Sequence, residues 1–177
     1  IAAAQQAAQE GSRLHTPDMF TYVFAQRDAV VAEAAAKKLQ LAVVNCTTLA
    51  AARDLIERGL TDDPLCLNFA SAKNPGGGFL GGSQAQEESL ARASGLYGCL
   101  APMRQMYDTN RAQRSCLYTD HMIYSPRVPV FRDDDDELQV DPYCVSFLTV
   151  PAVNAGAVRK NSPGEVDSIR PTMHTRA

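Results

Sequence analysis

Apolar positions along this chain fall into two kinds of run. Some are short and continuous, rich in β-branched residues: residues 41–46, 65–70, 128–131 and 143–150, with a weaker one at 121–124. Runs of this length predict strands. Others recur at helical spacing. Leu49, Ala52, Leu55 and Ile56 predict a helix capped by Thr47 or Thr48 and ended by Gly59. Leu90, Ala93, Leu96, Tyr97 and Leu100 predict a helix over residues 84–100, with Ser83 and Gln86 spaced as a capping box. The Ala/Gln-rich residues 2–10 predict a helix closing at Gly11. Residues 30–39 read as a second short helix or an extended lead-in. The acidic run 133–137 reads as a solvated hairpin tip or loop. From Pro151 onward the chain is polar and punctuated by Pro and Gly, with a helix start at Ile169. Strands alternating with helices predict an α/β domain with a parallel or mixed sheet. A length of 177 residues suits one such domain.

Composition narrows the function more than the fold. The net charge of −3 argues against a protein that grips nucleic acid through bulk positive charge, and no sequence-specific nucleic-acid partner is expected. No apolar run is long enough to span a membrane. Residues 1–6 lack the basic start and apolar middle of a secretory signal. The five cysteines are odd in number and widely spaced, the pattern of reduced thiols rather than a disulfide framework. These features predict an intracellular protein, cytoplasmic if bacterial. His15, His121 and His174 stand far apart with no metal-ligand spacing, so neither a metal site nor a cofactor is expected.

The chemistry concentrates after the second predicted strand. A loop over residues 71–83 holds Pro75 and the glycines Gly76, Gly77, Gly78, Gly81 and Gly82, and feeds a helix N-terminus. In an α/β fold this is where ligands bind, outside the carboxyl ends of strands. Successive glycines allow sharp turning and close approach, and the N–H groups of loop and helix suit a phosphate. The loop is neither a Gly-Lys-Ser/Thr phosphate loop nor G-x-G-x-x-G. A generic glycine loop is as often a tight turn with no ligand. Gln86, Glu87 and Glu88 fall in the first helical turn, where acids also simply complement the helix dipole. Adjacent helical positions point roughly 100° apart, so one carboxylate is expected to face the crevice and the other solvent or the loop. They cannot flank a bond like an ordinary glycosidase pair, so glycosidic chemistry here should rest on one carboxylate.

The run Asn74-Pro75-Gly76-Gly77-Gly78-Phe79, followed after Ala85 by Gln86-Glu87-Glu88, resembles the signature of the poly(ADP-ribose) glycohydrolases, closest to their bacterial branch. Residues 67–72, 123–132 and 150–154 resemble the family as well, so the likeness runs from about residue 41 to 154. It implies a macrodomain-like three-layer α/β/α sandwich with a mixed sheet, a single domain over 1–177 with a helical lead-in over about 1–40 and a core from about 41. By position, Glu88 is implied as acid/base and Glu87 as the group orienting the terminal ribose. Asn68 and the backbone of Gly76, Gly77 and Gly78 are implied to line the ribose and diphosphate path, with Phe79 and Gln86 as neighbours. Implied partners are poly(ADP-ribose), ADP-ribose and ADP-ribosylated proteins. The family continues with another apolar strand and a Trp-Gly-Cys-Gly-type loop over the diphosphate. This sequence has no Trp, so the C-terminal part of the fold is expected to lie outside it or on a second chain packed against strand 143–150 or a neighbour. A non-catalytic ADP-ribose-binding module is the alternative, disfavoured because such a module needs no carboxylic acid beside an anionic ligand. A hydrolase removing single ADP-ribose units from proteins would use similar parts.

Overall fold

The computed structural model of the chain describes residues 1–19 and 41–176; the helix or lead-in expected at 30–39 lies outside them. Helix α1 (Ala2–Gly11) leads into the short strand β1 (Arg13–His15). Then come α2 (Thr48–Glu57), β2 (Leu65–Ala70), α3 (Gln86–Ala93), α4 (Leu96–Leu100) and α5 (Arg104–Ala112). A long hairpin, β3 (Met122–Arg132) and β4 (Leu138–Pro151), is followed by α6 (Ala155–Asn161) and α7 (Ile169–Arg176). The sheet order is β1-β3-β4-β2. The β1–β3 and β3–β4 pairs are antiparallel and β2–β4 is parallel, so the sheet is mixed, as expected. No described helix is long and apolar enough to cross a membrane.

One face of the sheet is closed by helices. Leu49 and Ala52 of α2, Leu90 and Ala93 of α3, and Leu96, Cys99 and Leu100 of α4 pack with Cys66, Ile123, Val128, Val130, Val145 and Phe147 from the strands. The alternation in β2 sends Cys66, Asn68 and Ala70 to this face. Leu65 and Phe69 point the other way and stay exposed. On that side a second, smaller cluster joins Val158 of α6, Ile169 of α7 and Cys116.

Several elements differ from the sequence reading, each for a physical reason. Residues 41–46 form no strand; Leu41, Val43 and Val44 are exposed and no partner strand pairs with them. β-Propensity reports fitness for a paired, half-buried surface, and pairing is what is missing here. The single helix expected over 84–100 is two. Ser94 is extended (φ −141°, ψ 173°) and bridges to Val130, while Gly95 N–H donates to Pro129 O at 3.0 Å. The apolar periodicity survives because both helices face the same core. The two strands expected at 121–124 and 128–131 are one, irregular between Ser125 and Val128 where Arg127 takes φ 45°. Pro126 cannot donate to the ladder, so the strand bulges instead of ending. Gly11 is not a left-handed cap. The cap is Ser12 in extended conformation, and a Cβ at Gly11 would lie 2.6 Å from Pro126 Cγ. Strand 143–150 is not an open edge either, since β4 is paired on both sides and β2 lies outermost. Helix α5 carried no sequence expectation; its buried residues Met106, Tyr107 and Asn110 are too few to mark a stripe.

Other readings hold. Thr47 caps α2, its Oγ1 accepting from Ala50 N–H at 3.0 Å, and Gly59 ends the helix region with φ 65°. The acidic run 133–137 is an exposed hairpin tip between β3 and β4.

Candidate active site

β2 delivers the chain to the site and α3 takes it away. Between them residues 71–85 fold as a turn-rich loop that includes a short 3-10 turn, Phe79–Gly81. Gly76 and Gly77 both occupy the left-handed region, at φ 68° and 61°. A Cβ at Gly76 would lie 2.9 Å from the Tyr97 ring, and one at Gly77 would collide with the Glu88 carboxylate and sit 3.1 Å from Glu87 Oε2. The glycines are therefore required first by the two glutamates and by Tyr97, before any ligand arrives.

Both glutamates are buried, Glu87 at 3% exposure and Glu88 at 8%. Neither faces solvent; of the two alternatives to the crevice, solvent or the loop, the structure takes the loop. Glu88 Oε1 accepts the Gly78 N–H at 2.9 Å. Glu87 Oε2 accepts the Ser71 N–H at 2.7 Å, and its Oε1 is buried without a partner. Burial pushes the Glu87 carboxyl up to about 7; the Ser71 N–H, with the Asn68 amide and the Gly76 N–H nearby, opposes that shift, and the neighbouring Glu88 charge adds to it. Asn68 is fully buried opposite Thr149, with Nδ2 donating to Thr149 Oγ1 at 3.1 Å and Oδ1 unpartnered.

A cavity of about 460 Å³ opens beside the pair, lined by residues 69–72, Ala85, Glu87, Glu88, Tyr118 and residues 152–155. Tyr118 was not singled out from sequence; no periodicity or motif marks a lone loop tyrosine. Asn154 was within a stretch of family likeness, and it also caps α6 through Oδ1 and Ala157 N–H at 2.9 Å.

Two expected site residues serve the frame instead. Gln86 is not part of a capping box: Ala85 is the N-cap and no side chain caps the helix. Its amide runs along the outer edge of β2, Oε1 accepting from Phe69 N–H and Nε2 donating to Leu67 O, both at 2.9 Å, and to Thr48 Oγ1 at 3.1 Å. A side chain thus satisfies backbone groups that a neighbouring strand would otherwise pair. Gln86→Leu should lower stability by about 1–3 kcal/mol, the cost of leaving such groups unsatisfied. Urea denaturation checks this; an unchanged midpoint would show that water replaces the amide. Phe79 packs on Tyr97, with ring centroids 4.8 Å apart, and does not line the cavity.

The raised Glu87 carboxyl also predicts a pH dependence. An acid whose folded pKa lies above its unfolded value stabilises the fold fully below the unfolded value, and that stability is lost as pH rises through the folded one. The Glu87 contribution should therefore fade between about pH 4.5 and 7. Unfolding midpoints across that window should decline less in Glu87→Gln than in the parent. Parallel curves would remove Glu87 as the source. Cys66, in the core beneath β2, is pushed up to about 11 by burial and is no nucleophile at neutral pH.

The geometry can be set beside known proteins. Residues 1–133 match the family described as the catalytic domain of microbial-type PARG, the poly(ADP-ribose) glycohydrolases. No curated protein matches the chain. Among solved structures, the poly(ADP-ribose) glycohydrolase of Deinococcus radiodurans in complex with ADP-ribose is 45% identical, with a TM-score of 0.86 over 97% of this chain and 67% of that one. The glycohydrolase of Thermomonospora curvata bound to the inhibitor ADP-HPD is 45% identical, with a TM-score of 0.81 over 99% of this chain and 61% of that one. Another structure of the Thermomonospora curvata enzyme is 42% identical, with a TM-score of 0.75 over 99% of this chain and 63% of that one. The chain thus spans about two thirds of the length of these structures. With a mixed sheet, a glycine loop closed on two buried glutamates and a family match over most of its length, the chain belongs to the microbial-type poly(ADP-ribose) glycohydrolases.

Proposed function

We propose that the protein hydrolyses the ribose–ribose O-glycosidic bond of poly(ADP-ribose) and releases ADP-ribose, with Glu88 as the single acid/base. The observation that carries this reading is the unequal access to the two carboxylates: each is held by one backbone N–H, but the free oxygen of Glu87 is fully buried and that of Glu88 is not. Glu87 is the more deeply buried, held by Ser71 N–H. Glu88 is fixed through Oε1 by Gly78 N–H, and no hydrogen bond engages its other oxygen among the described residues. That oxygen is the group available to a substrate in the cavity. Family membership supports the same assignment, since both the ADP-ribose and the ADP-HPD complexes are of relatives at 45% identity.

Glu88 donates a proton to the ribose oxygen that leaves. The C–O bond breaks with oxocarbenium character on the ribose that stays bound. The Glu88 carboxylate then takes a proton from water, whose oxygen adds to that carbon. Burial raises the Glu87 carboxyl to about 7, so it holds a proton readily near neutrality. Glu87 also lines the cavity and orients the terminal ribose there. The backbone of Gly76, Gly77 and Gly78 lies against the carboxylates on the loop side and borders the path for ribose and diphosphate. This chemistry calls for no metal.

The test is product analysis with the full-length protein on poly(ADP-ribose) and on mono-ADP-ribosylated protein. Free ADP-ribose released from chains is expected. Release only from the mono-modified protein would replace this reading with the mono-hydrolase, and binding without release would replace it with a non-catalytic binding module.

A further inference from the structure

The cavity holding the two carboxylates extends to a wall that the glycine loop does not form. Tyr118 lines that wall, and its backbone is in the left-handed region at φ 64°. A bulky residue adopts that conformation only where its surroundings over-determine it. Here they do. Asn110, fully buried on α5, ties the turn to its helix: Nδ2 donates to Met106 O of α5 at 2.9 Å, while Oδ1 accepts the N–H and the hydroxyl of Thr119 at 2.8 and 3.1 Å. The Thr119 hydroxyl also pairs with His121 Nδ1 at 2.8 Å. A buried network thus holds one aromatic ring in the cavity wall. Lys73, from the loop that carries the glycines, places its ammonium 5.8 Å from the centre of that ring.

We propose that Tyr118 and Lys73 form a subsite for the polymer unit on the leaving side of the scissile bond, with the ring under its base or ribose and the ammonium near its diphosphate. This rests on the glycohydrolase reading above. A glycosidic bond has two flanks. The glycines border the carboxylates on one side, through Gly77 and the Gly78 N–H, and the Tyr118 wall borders them within the cavity. A nucleoside diphosphate offers a planar apolar face beside two negative groups. An aromatic ring with a cation over its face joins apolar and positive character in one place and complements that pairing. The acid/base role rests on Glu88, so the subsite acts on binding rather than on proton transfer.

The experiment compares two ligands in full-length protein carrying Glu88→Gln, so that chains bind without being cut: free ADP-ribose and poly(ADP-ribose) oligomers of defined length. Tyr118→Ala and Lys73→Ala, each added separately, should weaken oligomer binding about tenfold, within the range of one lost base–aromatic stack. ADP-ribose affinity should stay within about twofold, and Tyr118→Phe, which keeps the ring, should bind oligomers normally. In the active protein the same variants should raise KM for chains and leave kcat nearly unchanged. Equal weakening for ADP-ribose and oligomer would overturn the proposal, placing the pair with the unit that is released. Unchanged oligomer affinity in both alanine variants would overturn it too. Should Tyr118→Ala fail to melt cooperatively, Lys73→Ala decides by itself. A parent protein that binds chains with this Tyr118 dependence yet releases no ADP-ribose would sink the glycohydrolase reading and leave the subsite standing.

Discussion

Glu88→Gln should leave a folded protein that still binds ADP-ribose but cleaves poly(ADP-ribose) at least about a hundredfold more slowly, the usual reach of a lost general acid. The substitution is nearly isosteric. Its amide oxygen can still accept the Gly78 N–H that Glu88 Oε1 accepts at 2.9 Å, so the loop and the first turn of α3 keep their geometry. What disappears is a group able to give a proton and take one back. Glu87 cannot stand in, because it lies deeper than Glu88 and its free oxygen is fully buried. Glu87→Gln makes the informative comparison. It keeps an acceptor for a ribose hydroxyl, so its principal defect should be in substrate affinity and in the pH profile. Single-turnover rates with calorimetric ADP-ribose binding separate the two. Near-normal cleavage by Glu88→Gln would end its role as acid/base.

Gly77→Ala should be about as damaging, although it adds one methyl group in a loop. The position has φ 61°, where an alanine costs about 1–2 kcal/mol. The methyl carbon would also lie 2.9 Å from Glu88 Cδ and 3.1 Å from Glu87 Oε2. The backbone cannot simply retreat, since the next residue's N–H is bonded to Glu88. Both carboxylates must shift, and a displacement near 1 Å of a reacting group is enough for about a hundredfold loss. We expect kcat to fall by that order and ADP-ribose affinity to weaken, with cooperative melting retained because the strain is local. Gly81→Ala is the control: a Cβ there has nothing within 4 Å and φ is not in the left-handed region, so activity should be near normal. Parent-level turnover in Gly77→Ala would mean that the carboxylates are less tightly held than their contacts indicate.

The chain's local patterns determined the class of fold and the place of the chemistry. The continuous apolar run 65–70 fixed β2, and the two-residue period that any strand's backbone imposes sent Asn68 to the same face as Cys66 and Ala70. The order of strand, glycine loop and acidic helix start put Glu87 and Glu88 at one strand end. Short-range chemistry decided these features, so they could be read along the chain. Tertiary structure decided what depends on partners distant in sequence. Residues 41–46 have the composition of a strand yet form none, because a strand exists only with a neighbour to pair with. Ser94 breaks the expected helix because β3, more than thirty residues on, offers Val130 and Pro129 as partners. Gln86 looked like a capping residue, but the open backbone of β2 competes for its amide and wins with two hydrogen bonds. Tyr118 joined the cavity beside Thr119, which the distant Asn110 anchors, a contact that no local pattern announces. The burial that lifts the Glu87 carboxyl toward neutrality has the same origin: helix, loop and sheet must all close around it before water is excluded.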